Sequence, residues 1–255
     1  MKFIVFKLNT LKKICLIFIL LGVVSLNFDN GSIAGVYFGQ TIKKVPIYSV
    51  QTDKKVVAIS FDAAWGSDKT EKILEILNEF EVKATFFLVG FWAESNAGLV
   101  TEIDEQGFEI GTHSNTHPDM TKLDRDTMIN ELTTSKNILS SMISQEIQLF
   151  RAPYGSYNNT LLEVAEELSL TTIQWSLDSH DWMGISTMEI TTRIINKVQN
   201  GSIILFHNNS DNILDALPIC LDRLQKQGYK ITSIGDLIYS DNYTVNFAGV
   251  QIKNN

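Results

Sequence analysis

Residues 56–66 read VVAISFDAAWG. A mostly apolar run, typical of a buried strand, leads directly into Asp62, and Gly66 supplies a turn signal. Parallel sheets of α/β proteins bind their ligands beyond the carboxyl ends of the strands. The stretch therefore predicts a buried parallel strand with a candidate functional side chain at its end.

The same pattern recurs along the chain. Short apolar runs alternate with longer amphipathic stretches such as 69–80 and 127–142, which predict helices. This alternation indicates βαβ units and a mostly parallel sheet. Seven such strands predict a deformed (β/α)7-type barrel, with an open doubly wound sheet as the alternative. The predicted strands are 56–61, 84–89, 108–112, 148–152, 171–176, 202–207 and 229–232.

The composition is that of an ordinary folded protein. Of the 255 residues, 44% are hydrophobic and 20% are charged, and the formal net charge is −8. A chain with this acidic balance lacks the basic surface that nucleic acids require. We predict one main domain at 55–240 that acts as a monomer and binds no nucleic acid.

The N-terminus differs from the rest of the chain. Four lysines among residues 2–13 precede an apolar run at 14–26. Lysines on one side of an apolar block are typical of a secretory signal or a membrane anchor, and a buried core helix is the alternative. The main domain is then exported, either secreted or anchored to the membrane. The predicted segments are a cytoplasmic basic stub with a signal or anchor at 1–35, a linker at 36–54 and a tail at 241–255.

Five clusters of polar residues lie at or just after the carboxyl ends of predicted strands. Because the carboxyl ends of parallel strands meet at one end of a barrel, we expect the five loops to converge. The clusters read SFDAAWG (60–66), HSNTHP (113–118), RAPYG (151–155), DSHDW (178–182) and LFH (205–207).

The second cluster contains a candidate metal-binding pair. His113 and His117 are four residues apart, and two imidazoles at this spacing can bind one divalent cation from a helical turn or from a tight loop. Pro118 disfavours helical geometry at His117 and so favours the loop. Taken alone, the pair also fits two exposed loop histidines that bind no metal.

In this order, the five clusters resemble the five motifs of the polysaccharide deacetylase family, also called the NodB homology domain or carbohydrate esterase family 4. The resemblance covers about 56–239, and PIYSVQTDKK (46–55) with the first motif resembles the sporulation-type branch. It implies a NodB homology catalytic domain in the barrel. It also implies a hydrolase of carbon–nitrogen but not peptide bonds, which removes N-acetyl groups from a polymeric amino sugar.

The resemblance implies a divalent metal, with zinc expected and cobalt or manganese as alternatives. His113 and His117 resemble the two imidazole ligands of the family. Asp62 matches the catalytic base that takes a proton from the attacking water. Arg151 resembles the residue that holds this base in place and keeps it ionised.

The same resemblance implies how the leaving amine obtains its proton. His207 matches the general acid, and Asp181 resembles the carboxylate that favours its protonated form. The backbone N–H of Tyr154 is expected to stabilise the oxyanion of the tetrahedral intermediate. The implied substrate-binding residues are Pro153, Tyr154, Trp182 and Leu205.

The chain departs from the family pattern in its first motif. The usual motif has two adjacent aspartates, and the second, a metal ligand, is replaced here by Ala63. Two histidines without a carboxylate make a weaker metal site. Asp68, in the same loop, is a candidate replacement ligand, and an N-cap of the following helix is its alternative role.

Three functions are compatible with these residues. The first is N-deacetylation of cell-wall or spore-cortex peptidoglycan, in preference to chitin. The second, favoured by Ala63, is a sporulation protein that binds glycan with little or no turnover. The third is an O-acetyl-xylan esterase, because the same metal chemistry cleaves esters.

Overall fold

The structure is a computed structural model that describes residues 43–254. The chain from Lys44 onward forms one compact unit. The predicted basic stub and signal or anchor, 1–35, lie outside the described residues. Within residues 43–254, no helix is both long and apolar enough to cross a lipid bilayer.

A curled parallel sheet forms the centre of the fold. The strands of the described chain are β1 Ser49–Val50, β2 Val56–Ala63, β3 Thr85–Leu88, β4 Glu109–Thr112, β5 Leu149–Phe150, β6 Thr171–Thr172, β7 Leu177–Asp178, β8 Ile203–His207, β9 Lys230–Thr232, β10 Tyr243–Val245 and β11 Val250–Lys253. The main sheet has the order β6-β5-β4-β3-β2-β8-β7, and β9 pairs with the first part of β2. All of these pairings are parallel, which confirms the predicted α/β fold with a barrel-like sheet.

Helices follow most strands and cover the outer face of the sheet. The two predicted helices, 69–80 and 127–142, agree with the observed helices to within two residues at each end. The α-helices of the described chain are α1 Thr70–Glu79, α2 Gly90–Ser95, α3 Ala97–Glu105, α4 Arg125–Ser140, α5 Asn159–Glu167, α6 Thr187–Lys197, α7 Ile213–Lys226 and α8 Ile234–Leu237.

The alternation of side chains along β2 positions the site. Successive side chains of a strand point to opposite faces of the sheet. Val57, Ile59 and Phe61 belong to the core between the sheet and the helices. Ala58 belongs to a second, smaller core on the inner face. The inner face of β2 therefore ends at Asp62.

The predicted strand 171–176 is wrong in its second half. The chain pairs with β5 only at β6 and with β8 only from β7 onward. Between these strands, Gln174 donates its backbone N–H to the carbonyl of Ile47, and Ser176 donates to that of Ile203. The chain thus moves from one edge of the sheet to the other within this stretch, although its apolar pattern is continuous.

The segments predicted as linker and tail contribute a second, small sheet. β1 pairs in parallel with β11, and β10 pairs with β11 as an antiparallel hairpin. Bridges between Ile47 and Ile173 and between Ser49 and Ser202 connect the N-terminal segment to the main sheet. The compact unit therefore extends beyond the predicted domain limits of 55 and 240. The strands concerned have only two to four residues each, too few for a periodic pattern.

Candidate active site

The carboxylate of Asp62 lies at the end of β2 and is almost fully buried. Arg151, which follows β5 directly, donates from Nη1 to Oδ1 of Asp62 over 2.7 Å and to the hydroxyl of Ser60 over 2.9 Å. The guanidinium is completely buried and lies 4.1 Å from the centre of the Phe87 ring. These contacts fix the orientation of both charged groups.

The surroundings of Asp62 favour its ionised form. Burial by itself would raise the pKa of Asp62, but attraction to Arg151, and then to His113 and His207, outweighs burial. The pKa of Asp62 is therefore lowered from its ordinary value, and the group carries its charge at neutral pH. An ionised carboxylate that faces a cavity can accept a proton, as a catalytic base must.

His113 and His117 lie together after β4, with their ring centroids 4.9 Å apart. Nδ1 of His113 lies 2.8 Å from the carbonyl oxygen of Arg151. Because a carbonyl only accepts, this nitrogen carries the proton and Nε2 keeps its lone pair. Nε2 of His113 is in turn 3.6 Å from Oδ2 of Asp62. Three residues predicted to share a site therefore lie side by side.

The backbone between the two histidines is a tight loop, as predicted. Ser114 and His117 have φ angles of 69° and 58°, in the left-handed region. The hydroxyl of Ser114 accepts the backbone N–H of His117 over 3.0 Å. The buried carboxylate of Glu131, in α4, accepts the backbone N–H groups of Asn115 and Thr116 over 2.9 and 2.8 Å. Glu131 therefore fixes the loop that carries both imidazoles.

Both imidazoles of the pair are held in the neutral form. Burial lowers the pKa of His113. Burial and the proximity of His113 lower the pKa of His117 to about 4. Neutral imidazole is the form that binds metal ions. Nδ1 of His117 is buried and has no hydrogen-bond partner among the described residues.

The pair therefore fits the two nitrogen ligands of a divalent cation such as zinc. A complete set of protein ligands is not present, because no group of three or more His, Cys, Asp or Glu residues poised for a metal occurs in residues 43–254. The protein ligands available to a metal are therefore the two histidines, without the second aspartate that the first motif of the family usually supplies.

Residue 63 offers no ligand to this site. Ala63 is the last residue of β2, is completely buried and belongs to the core between the sheet and the helices. The cavity is lined instead by the next residue, Ala64. Position 63 therefore contributes only a buried methyl group beside Asp62.

Asp68 lies away from the site. Its side chain is exposed and does not line the cavity. It does not cap α1 either, because Lys69 occupies the N-cap position and no side chain makes a capping hydrogen bond there. The loop before it is fixed, since the carbonyl of Gly66 accepts the indole N–H of Trp92 over 2.7 Å.

His207, the last residue of β8, is paired with Asp181. Nδ1 of His207 lies 2.8 Å from Oδ1 of Asp181, and its backbone N–H donates to Oδ2 over 2.8 Å. The hydroxyl of Ser210 donates to the same Oδ2 over 3.0 Å. Burial by itself would lower the pKa of His207, but the hydrogen bond and the charge of Asp181 outweigh it, and the pKa is raised. This pairing favours a protonated imidazole, as a general acid requires.

The backbone at Tyr154 is also unusual. Tyr154 has a φ of 59° inside the short 3₁₀ turn Pro153–Gly155. Within the part of the chain that the structure describes, its N–H donates to no other group. A free N–H beside the cavity is the feature that an oxyanion site needs.

Most of these groups line one cavity of about 540 Å³. The predicted site residues that line it are Asp62, His113, His117, Tyr154, Trp182, Leu205 and His207. Arg151, Asp181 and Pro153 are buried and do not line it. Arg151 acts on the cavity through its hydrogen bond to Asp62, and Asp181 acts through its hydrogen bonds to His207.

Five further residues line the cavity, and the sequence did not single them out. Trp65 and Asp178 lie inside the first and fourth motifs, and Asn209 follows the fifth motif closely. Their nearness to a motif was the only signal that could have indicated them. The five residues are Ala64, Trp65, Trp175, Asp178 and Asn209.

Comparison with known proteins agrees with this geometry. A family model described as polysaccharide deacetylase matches residues 49–173. A peptidoglycan-N-acetylglucosamine deacetylase of Bacillus cereus is 32% identical over 191 residues, which cover 73% of this chain and 70% of that protein. The chain belongs to the polysaccharide deacetylase family.

Further relatives are similar to this member of the polysaccharide deacetylase family over much the same part of the chain. An uncharacterized Bacillus subtilis protein, YlxY, is 33% identical over 199 residues, or 78% of this chain. The deacetylase PgdA of Listeria monocytogenes is 31% identical over 201 residues, or 79% of this chain. The chain spans only 62% of the length of YlxY and 42% of that of PgdA.

A solved structure is similar over most of the described fold. It is a carbohydrate esterase family 4 pseudoenzyme from Bacillus anthracis, 32% identical with a TM-score of 0.74, and the match covers 78% of this chain and 70% of that one. A mutant of that protein, described as having restored enzymatic activity, is 33% identical with the same TM-score, over 78% of this chain and 72% of the other.

Proposed function

We propose that this protein removes N-acetyl groups from the amino sugars of peptidoglycan, in the cell wall or the spore cortex. One observation carries the proposal: an ionised carboxylate, Asp62, and an imidazole whose pKa is raised, His207, face the same cavity from adjacent strands. Amide hydrolysis needs a base for the water and an acid for the leaving amine. The similarity to peptidoglycan-N-acetylglucosamine deacetylases supports the choice of substrate.

The proposed mechanism assigns one step to each group. His113 and His117 would hold a divalent cation, zinc before cobalt or manganese, which when bound polarises the acetamido carbonyl and makes water more acidic. Asp62, held by Arg151, takes a proton from the attacking water. The N–H of Tyr154 stabilises the oxyanion. His207, held by Asp181, gives its proton to the amine, which leaves as the carbon–nitrogen bond breaks.

The cavity walls suit an acetamido sugar. Trp182 and Leu205 provide apolar surface for the acetyl methyl group, and both line the cavity. An apolar wall beside a few convergent polar groups is the usual make-up of a small-ligand site. The polar groups here are the catalytic pair and the two metal-binding imidazoles.

A second candidate function is glycan binding with little or no turnover. It is favoured by Ala63, which carries no carboxylate where the first motif of the family has its metal-binding aspartate. It is also favoured by the lack, within residues 43–254, of a group of three or more His, Cys, Asp or Glu residues poised for a metal. The similarity to a pseudoenzyme of the same family supports it as well. An O-acetyl-xylan esterase is the third candidate, since its chemistry needs the same groups.

The deciding experiment measures free amine released from peptidoglycan glycan strands with zinc or cobalt added. Release well above that of the His113→Ala variant supports the deacetylase. Binding of the strands without release supports the second candidate. Greater acetate release from acetylated xylan than from glycan strands supports the esterase.

The proposed location is outside the cytoplasm, with the protein secreted or anchored to the membrane. The lysines among residues 2–13 and the apolar run at 14–26 support export. Fractionation of cells that express the full chain tests this proposal, and recovery only in the soluble cytoplasmic fraction contradicts it.

A further inference from the structure

Three large aromatic side chains are exposed around the mouth of the cavity. Trp65 is 56% exposed, Tyr154 is 66% exposed and Trp182 is 60% exposed, and all three line the cavity. They belong to three different loops, which follow β2, β5 and β7. Large apolar side chains grouped around a cavity indicate a binding surface.

Trp65 lies on the histidine side of the cavity, outside the reacting groups. Asp62 faces His113, the His113 ring packs against His117, and the His117 ring packs against Trp65 with centroids 4.6 Å apart. The strand order places His207 on the other side of β2, in β8. Trp65 therefore lies at the cavity rim beside His117, outside the contacts that join Asp62, Arg151 and the His207–Asp181 pair.

The ring of Trp65 is supported on a fixed loop. Its neighbour Gly66 has its carbonyl hydrogen-bonded by the side chains of Trp92 and Asn208, over 2.7 and 2.9 Å. The ring also lies 6.4 Å from that of Phe91, measured between centroids. A ring held in this way loses little conformational freedom when a ligand stacks on it.

Sugar rings suit such a surface. A pyranose has apolar C–H faces and a polar rim of hydroxyl groups, so one face can lie flat on an aromatic ring while the rim stays hydrated. A glycan polymer with one unit at Asp62 and His207 must continue past the cavity rim on at least one side. Beside His117, the rim offers two exposed rings, those of Trp65 and Tyr154, with centroids 4.6 and 4.7 Å from the His117 ring. The backbone N–H of Tyr154 already serves the reacting unit in the proposed mechanism, so Trp65 is the ring that remains for a neighbouring unit.

We propose that Trp65 is the stacking surface for the sugar unit next to the one that is deacetylated. The protein therefore prefers polymeric glycan to single amino sugars. This inference rests on the proposed function, because it takes its reacting unit from the proposed catalytic pair.

The test compares binding of N-acetylglucosamine and of its β-1,4-linked tetramer by NMR titration, with EDTA present to prevent turnover. Trp65→Ala is expected to weaken tetramer binding about tenfold and to change monomer binding less than twofold. Trp65→Phe, which retains a ring, is expected to keep most of the tetramer affinity. The matched control is Phe247→Ala, which removes an aromatic ring that is 93% exposed and does not line the cavity.

Unchanged tetramer binding in Trp65→Ala overturns the inference and leaves the proposed function intact. An equal loss for monomer and tetramer also overturns it, since Trp65 then acts at the reacting unit or through His117. Absence of tetramer binding by the wild-type protein also overturns the inference, whereas the proposed function is decided separately by amine release from peptidoglycan with zinc or cobalt added. Tetramer binding that depends on Trp65, without amine release in the separate zinc assay, supports the stacking role and contradicts the deacetylase.

Discussion

Asp181 bonds to His207 at two points, the imidazole Nδ1 and the backbone N–H, each over 2.8 Å. A single buried carboxylate therefore fixes both the ring and the strand end from which the ring projects. The same contact raises the pKa of His207 against the effect of burial. The pairing thus sets the pH range in which this imidazole can donate a proton.

Asp181→Asn is expected to lower the pKa of His207, because the amide keeps the shape but removes the charge. The alkaline limb of amine release should then move to lower pH, and release at pH 7.5 should fall by about 10²-fold, within the range of general acid catalysis. His207 contributes stability that is fully present below its unfolded pKa of about 6.5 and is lost as the pH rises through its raised folded pKa. Histidine NMR titration measures the shift directly, and an unchanged His207 pKa contradicts the role given to Asp181.

Arg151→Met is expected to destabilise the protein at neutral pH by about 3–5 kcal/mol, since Asp62 is then left as an unpaired buried charge. Part of this loss should be recovered as the pH falls and Asp62 becomes protonated. Urea unfolding at pH 7 and pH 5 provides the measurement. Arg125→Met is the control, because Arg125 pairs with Glu167 on the surface, and it should cost less than about 1 kcal/mol.

Glu131→Gln is expected to weaken zinc binding about tenfold, as is usual when a group that supports the ligands is altered. The carboxylate of Glu131 accepts hydrogen bonds with both oxygens, from the backbone of Asn115 and from the backbone and hydroxyl of Thr116. An amide has only one accepting oxygen, so the histidine loop loses part of its support. Isothermal titration with zinc measures the effect. Asp126→Asn, the same chemical change at an exposed position of α4, should leave the affinity unchanged. Equal affinities in the two variants would show that Glu131 does not position the histidines.

The metal-free protein is expected to lose stability as the pH falls from about 6.5 to about 4. The folded-state pKa of His117 is lowered to about 4, whereas that of an unfolded histidine is about 6.5. In this pH window the unfolded chain binds a proton at His117, whereas the folded protein keeps the imidazole neutral. Lowering the pH therefore favours the unfolded chain. Thermal unfolding across this range measures the slope, which should be shallower in His117→Gln. An identical slope in the variant contradicts the expectation.

Asp68→Asn is expected to leave the zinc affinity unchanged, because the Asp68 side chain is exposed and does not line the cavity. Titration of the variant beside the wild-type protein is sufficient, with His113→Ala as the control that must lose affinity. A clear loss in Asp68→Asn would show that the loop rearranges when metal binds.

The sequence by itself determined the strand pattern and the order of the functional residues. The period-2 alternation of β2 directs Asp62 to the inner face, and the parallel arrangement brings the five motifs to one end of the sheet. Both are local properties of short segments, so they can be read from neighbouring residues. His113, His117, Asp62 and His207 accordingly line one cavity, as predicted.

Only the tertiary structure decided how the chain crosses between sheet edges after β6 and how Glu131 supports the histidine loop. It also decided that Asp68 lies outside the cavity and that Trp65 packs on His117. These features depend on contacts between residues far apart in the chain, such as Gln174 with Ile47. Such contacts form only when the sheet assembles. They leave no periodic pattern in either segment, so the sequence alone does not predict them.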